Sequence, residues 1–409
     1  MTKKYNILII SAFCVIVNLN AQKIKLCNLN KSVEIASVHA IKMAESLQNN
    51  PNLLPKSIDI KSKLQTSDSG WWCSGFFPGV LWYLYEYTNK PELKYWAEIY
   101  TDRVEKEKYT TDNHDIGFIL NCSFGNGFRL TGNQHYKEVL AFGAESLSSR
   151  FNDKIGLIRS WDFNQNIWQY PVIIDNLMNL EFLEWGSKNS GVPLFDKIAR
   201  SHADKTMLNH FRPDYSCFHL VSYDTLTTEV QKKQTWQGYN DSSSWARGQG
   251  WALYGYTMMY RETKDVRYLH FAENIANYIL FHPNLPKDKI PYWDFNAPNI
   301  PHALRDASAG AVIASALIEL SQMTVNKEFS KEYLKTAIIQ INTLSSPKYL
   351  AKPNTNGNFI LKHSVGFFSK NSEIDVPVTY ADYYYIEALV RLRKVMNVND
   401  SFAIKNNFK

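Results

Sequence analysis

Helical segments set in pairs, with breaks of three or four residues between them, constrain this chain more than any other feature of its sequence. Apolar residues recur at helical spacing over 32–49, 76–88, 91–108, 115–131, 134–151, 172–188, 192–210, 245–263, 266–282, 303–322, 327–345 and 378–395. Asn89–Lys90–Pro91, Thr131–Gly132–Asn133, Ser190–Gly191–Val192–Pro193 and Glu262–Thr263–Lys264–Asp265 interrupt that pattern. Breaks so short turn one helix back on the next, which makes hairpins. Twelve helices give six hairpins, the all-α pattern of an (α/α)6 barrel, and a superhelical array of hairpins would read the same way. Three longer connections, 152–171, 211–244 and 346–377, are rich in Trp, Tyr, His and Asp. Long loops of that composition are expected to line a pocket at one end of the barrel.

Composition agrees with a large buried core. The chain has 409 residues, 45% hydrophobic and 21% charged, which excludes disorder. Its 11 Trp and 24 Tyr suit either an aromatic core or platforms for sugar rings. Residues 1–21 read as a signal peptide: Lys3 and Lys4 precede the apolar run Ile7–Val17, and a cleavage site follows Ala21. That run is short for a membrane span, and Phe13 before Cys14 argues against a lipid anchor, so export to the periplasm is expected, with no stable membrane insertion. Residues 22–409 then form a single catalytic domain. The net charge of +6 loses Lys3 and Lys4 with the leader, leaving a mildly basic chain without a basic run. This argues against nucleic acid and suits an anionic substrate. Cys27, Cys73, Cys122 and Cys217 lack CxxC spacing and read as buried thiols, with a disulfide the alternative in an oxidising compartment.

Two aspartates carry the chemical interest. Asp115 opens a helix in Asn113–His114–Asp115–Ile116–Gly117–Phe118, where an acid also favours the helix dipole. Asp175 sits in Val172–Ile173–Ile174–Asp175–Asn176–Leu177, among apolar neighbours, with Asn179 one turn on. A carboxyl so placed needs partners and has a perturbed pKa. In Trp245–Ala246–Arg247–Gly248–Gln249–Gly250–Trp251, Arg247 and Trp251 share a helix face, and the two glycines admit close backbone approach. Such a pair can grip a carboxylate and pack on a sugar, or stack as ordinary core. Trp72, Trp161, His219 and Gln237 stand at loops or helix starts, where a side chain can point into a pocket but more often is a packed aromatic or a satisfied polar group. No metal or cofactor is expected: His114, His210 and His219 lack metal-ligand spacing, and no phosphate loop or nucleophile elbow occurs.

Taken in order, these motifs resemble the unsaturated glucuronyl hydrolases, glycoside hydrolase family 88. The carriers are Trp72–Cys73–Ser74–Gly75–Phe76, the Asp115 and Asp175 segments, Gln237–Gly238–Tyr239, Trp245–Trp251, Asn371–Pro377 and Tyr380–Tyr384. The resemblance covers the chain after its leader. It implies an (α/α)6 barrel and removal of a non-reducing 4,5-unsaturated uronate from lyase-generated oligosaccharides of glycosaminoglycan or ulvan type. The lyase would act upstream without contact.

What the resemblance implies chemically is hydration of the C4=C5 bond rather than glycosidic displacement. Asp175 would be the general acid and base, with Asp115 its partner. Gln237 and Arg247 would hold the uronate carboxylate, and His114 and His219 would lie beside them. Trp72 and Trp251 would line the unsaturated ring and Trp161 the next sugar, with Trp245 a further substrate-binding residue. Cys73–Ser74 and Trp236 depart from the family pattern, so pocket walls are expected to differ. Lys362, His363 and Lys370 are candidates for reading sulfate. Rival readings are an unsaturated rhamnogalacturonyl hydrolase acting on pectin fragments, a non-catalytic sugar-binding barrel and a conventional exo-glycosidase.

Overall fold

The computed structural model describes residues 27–399, so the leader expected at residues 1–21 lies outside the described residues. Helices alternate between an outer and an inner ring. The outer ring comprises Leu29–Ser46, Pro91–Asp102, Gln134–Ser148, Pro193–Asn209, Val266–Phe281 and Lys327–Leu344. The inner ring comprises Phe76–Thr88, residues 116–131, Leu180–Ser190, Ala246–Thr263, Ala307–Met323 and Thr379–Asn399. Each inner helix packs on its inner neighbours, and Thr379–Asn399 returns to Phe76–Thr88, which closes an (α/α)6 barrel rather than an open array. Burial follows the ring: Ala246–Thr263 buries 14 of 18 residues, whereas Lys327–Leu344 buries only six of 18. The outer helix therefore keeps a solvent-facing polar face, and the inner one is enclosed nearly all round, its polar side chains included.

The outer helices start at signals written in the sequence. Pro91 and Pro193 occupy the first turn, where a missing N–H costs nothing. The side chains of Asn28, Asn133, Asp265 and Asn326 accept bonds from first-turn N–H groups. Four of the inner starts differ. Gly75, Asp115, Asn179 and Trp245 make no side-chain cap, so their helices keep free N–H groups and positive dipole ends at one mouth.

Several sequence expectations need correction. The helix expected over 172–188 is instead strand Tyr170–Ile173, a 3-10 turn Ile174–Asn179 and helix Leu180–Ser190. Its β-branched run pairs Val172 with Val221 on Leu220–Tyr223, which pairs in turn with Val230–Gln234. The third long connection also holds a hairpin, Ser364–Phe367 with Ser372–Val376. The helix over 116–131 contains a π-helical turn, Asn121–Gly125. Helix 91–108 stops at Asp102, and the helix expected from 303 begins at Ala307. Cys73, Cys122 and Cys217 are buried free thiols, and Cys27 is a half-buried one. No helix among the described residues is long and apolar enough to cross a membrane.

Candidate active site

Asp115 and Asp175 come together at the mouth formed by the inner helices' N-terminal ends. Asp115 is the residue before helix 116–131, and Asp175 lies in the turn that leads into Leu180–Ser190. The Asn179 side chain locks these two segments by accepting the Phe118 N–H at 2.9 Å. Gly117 makes that approach possible, because a Cβ there would overlap Asn179. The sequence thus spends a glycine and an asparagine to set one acid against the other.

Each acid faces a buried histidine. His114 Nε2 lies 3.5 Å from Asp115 Oδ1, and His219 Nε2 lies 3.6 Å from Asp175 Oδ2. His219 Nδ1 accepts the backbone N–H groups of Trp236 (2.9 Å) and Gln237 (3.1 Å). An acceptor Nδ1 leaves the ring proton on Nε2, so a neutral His219 points its N–H at Asp175. Burial, followed by the Arg247 charge, holds His219 neutral with a pKa of about 3. Burial, then Arg150, brings His114 to about 3 as well.

The carboxyls move the other way. Burial pushes Asp175 up to about 7, with Arg247 and the Trp251 indole only partly offsetting it. Asp115 is raised by burial and then by the charge of Asp175 itself. Asp175 is the deeper of the two, with 11% of its side chain exposed against 21% for Asp115. Two neighbouring carboxyls, both raised, hold a proton between them near neutrality.

Although Trp251 and His219 face Asp175 and Asn176 faces His114, buried polar atoms that fall short of a protein hydrogen bond gather here. They include His114 Nδ1, Trp161 Nε1, Asp175 Oδ2, Asn176 Oδ1, His219 Nε2 and Trp251 Nε1. Buried polar groups ordinarily complete their hydrogen bonds, so a cluster of incompletely bonded ones marks where water or substrate is handled.

The remaining expected residues fall into three positions. Trp72 is half-buried at the mouth, packed on Phe118 and Tyr380. Trp245 stacks near His219 (4.7 Å between centroids), and Gly248 leaves room for its indole. Trp251 is fully buried between Phe118 and Tyr384, so it backs the site instead of offering a face to a sugar. Arg247 is 1% exposed and already engaged: it bonds Asp306 (3.0 Å), Ser308 and the carbonyls of Val365 (2.6 Å) and Gly366 (2.8 Å). Gln237 Nε2 donates to the same Gly366 carbonyl at 3.1 Å. Both therefore pin the 364–376 hairpin over the mouth, and Arg247 lends its charge from beneath.

Two contributors escaped the sequence reading. Asp306 pairs with Arg247 and also caps its own helix through the Ser308 N–H (2.9 Å). The Asp-x-Ser spacing at 306–308 is a capping signal that could have exposed it. Arg150 forks onto Asp162 (3.1 Å to each oxygen) and anchors the loop carrying Trp161; nothing in its local sequence announces that role.

Comparison with known proteins places this geometry in a family. No family model matches the chain. An unsaturated glucuronyl hydrolase of Formosa agariphila is 47% identical over 85% of this chain and 86% of its own length. An unsaturated chondroitin disaccharide hydrolase of Streptococcus pneumoniae is 32% identical over 81% of this chain and 84% of its own. Among solved structures, an unsaturated glucuronyl hydrolase specific for heparin superposes with a TM-score of 0.88 at 47% identity, covering 90% of this chain and 98% of that one. A Streptococcus agalactiae unsaturated glucuronyl hydrolase mutant complexed with dGlcA-GalNAc6S superposes at 0.76 with 26% identity, over 90% and 93% of the two chains. With its barrel closed and its two acids set at the inner-helix N-termini, the chain belongs to the unsaturated glucuronyl hydrolases of glycoside hydrolase family 88, and it is a glycoside hydrolase.

Proposed function

We propose that Asp175 protonates C4 of a 4,5-unsaturated uronate at the non-reducing end of a glycosaminoglycan fragment, most readily one of heparin type. The proton leaves a C5 cation shared with the ring oxygen. Asp175, now ionised, takes a proton from water as that water adds to C5. The resulting hemiketal opens between C5 and the ring oxygen, and the hemiacetal left at C1 expels the remaining sugar. Both steps need a carboxyl that is protonated and ionised by turns near neutrality, which is what burial gives Asp175. The observation that carries the reading is the raised acid pair, each member facing a neutral buried histidine.

His219 stabilises ionised Asp175 through its Nε2–H, and Asp115 keeps the pair's charge near one. The uronate carboxylate is favoured by the positive ends of the inner helices and by the Arg247 charge behind Gly366. The heparin preference rests on the identity shared with the heparin-specific structure. The leader at residues 1–21 supports a periplasmic enzyme that meets fragments already cut by a lyase.

The test is to incubate the protein with unsaturated disaccharides made by heparin, chondroitin and hyaluronan lyases and follow the ultraviolet band of the C4=C5 bond. Loss of that band is expected fastest with heparin fragments, with saturated glycosides unchanged. Cleavage of saturated glycosides, or an undiminished band in every incubation, would refute the reading.

A further inference from the structure

Trp161 has too little free surface to serve as a sugar platform. It is only 8% exposed. Phe163 covers one face in a parallel stack, with centroids 4.9 Å apart and planes 7° apart, and Trp168 meets it edge-on at 5.8 Å. The backbone of Trp161 bridges to Asn113, two residues before Asp115, so the whole stack is tied to the wall beside the acid pair.

Phe163 is the opposite case. Half of it (52%) is open to solvent although it is aromatic, and Ile167 beside it on the same loop is 44% exposed. A single exposed apolar side chain is ordinary. This one is held in place, because its ring lies flat on Trp161 and its loop is braced on both sides. Asp162 is gripped by Arg150, and the carbonyl of Asn164 accepts the N–H groups of Ile167 (2.9 Å) and Trp168 (3.0 Å). Asn164 takes the left-handed backbone conformation (φ 54°) that closes this turn. A rigid ring with one free face, at the rim of a site for a chain-terminal sugar, can meet only sugars farther along the chain. Its apolar face matches the C–H face of a pyranose.

We propose that Phe163 is the platform for the second sugar on the leaving side of the cleaved bond, which makes fragments longer than a disaccharide the better substrates. The unsaturated uronate goes innermost, to Asp115 and Asp175. The sugar bonded to it passes the edge of Trp161, and the one after it stacks on Phe163. This rests on the hydration reading above.

The deciding experiment compares an unsaturated disaccharide with an unsaturated tetrasaccharide on the wild type, Phe163→Ala and Phe163→Tyr. In Phe163→Ala, kcat/KM for the tetrasaccharide is expected to fall about five-fold, the size of one aromatic stacking contact, with the disaccharide unchanged. Phe163→Tyr keeps the wild-type ratio. An equal fall on both substrates, or none on the tetrasaccharide, overturns the proposal. Titration of the same proteins with the saturated tetrasaccharide separates it from the hydration reading. Should no unsaturated fragment be bleached, the hydration reading fails, while a weaker affinity in Phe163→Ala still supports the platform and an equal affinity still overturns it.

Discussion

The two mouths of this barrel are both charged, yet they treat charge in opposite ways. At the inner helices' C-terminal ends lies a cavity of about 560 Å3, lined by Arg129, Lys188, Arg261, Glu262, Arg391 and Lys394 among others. Every charge there has a partner. Arg261 pairs with Glu181, Glu262 and Glu319, while Arg391 pairs with Glu319 and Glu387. Burial pushes Glu319 up, but Arg391 and Arg261 outweigh it and hold the carboxyl below its ordinary range. At the other mouth burial wins, and Asp175 rises. Phe118, Trp251 and Tyr384 pack together between the two ends. An enclosed, charged cavity is thus a poor guide to chemistry in this fold. The reactive end is the one whose polar groups are not fully hydrogen-bonded, and the other end is an ion-pair network in which cations and carboxylates satisfy one another.

The sharpest way to break this comparison is to neutralise one acid at each end. Asp175→Asn is expected to lower kcat by about a thousand-fold or more, because it removes the proton donor without changing the fold. Bleaching of an unsaturated disaccharide measures it, and a folded variant with near-wild-type rate would remove Asp175 from the mechanism. Glu387→Ala should do the reverse. Glu387 accepts from Tyr83 (2.8 Å), Tyr254 (2.9 Å) and Arg391 (3.2 Å). Truncating it leaves a buried guanidinium short of a partner, at a cost of about 3–5 kcal/mol in stability. The kcat of the protein still folded is expected to stay within about two-fold of the wild type, since no group at the acid pair changes. Urea unfolding and the bleaching assay, run side by side, read both effects. A large loss of kcat with unchanged stability would mean that the two mouths are coupled.

The same contrast explains what could be read from the sequence. Outer helices were legible because Pro91, Pro193 and the Asn and Asp caps mark their starts. Inner starts were harder, since most carry site residues where a cap would stand. The stretch 172–174 misled because a buried apolar run has the same appearance in a helix and in a strand. Asp115 and Asp175 showed themselves as acids in the wrong surroundings. Their controlling partners did not. Arg247 meets Asp306 across 59 residues and Val365 across 118, and no local pattern encodes contacts at that range. Phe163 was invisible for a related reason, because its value comes from what it covers.

The smallest expected effect is on stability, and its sign distinguishes the mouths without any substrate. A carboxyl raised to about 7 in the folded state, against about 3.9 unfolded, binds its proton more tightly when folded. Between those values the folded state holds more protons than the unfolded one, so stability drains away as pH rises and the penalty is complete above about 7. Asp175→Asn carries no charge and escapes it. The variant should therefore melt higher than the wild type at pH 8, by about 1–3 kcal/mol in stability, and the advantage should vanish below about pH 4. Glu319→Gln has the opposite sign, because a carboxyl held low stabilises the fold above its unfolded pKa and loses that contribution only as the solution turns acid. Thermal melts of the two variants across pH would then cross: one gains on the wild type at high pH, and the other recovers toward it at low pH. Parallel curves would mean that Asp175 is ionised as readily as a surface aspartate, which would leave the site without its proton donor near neutrality.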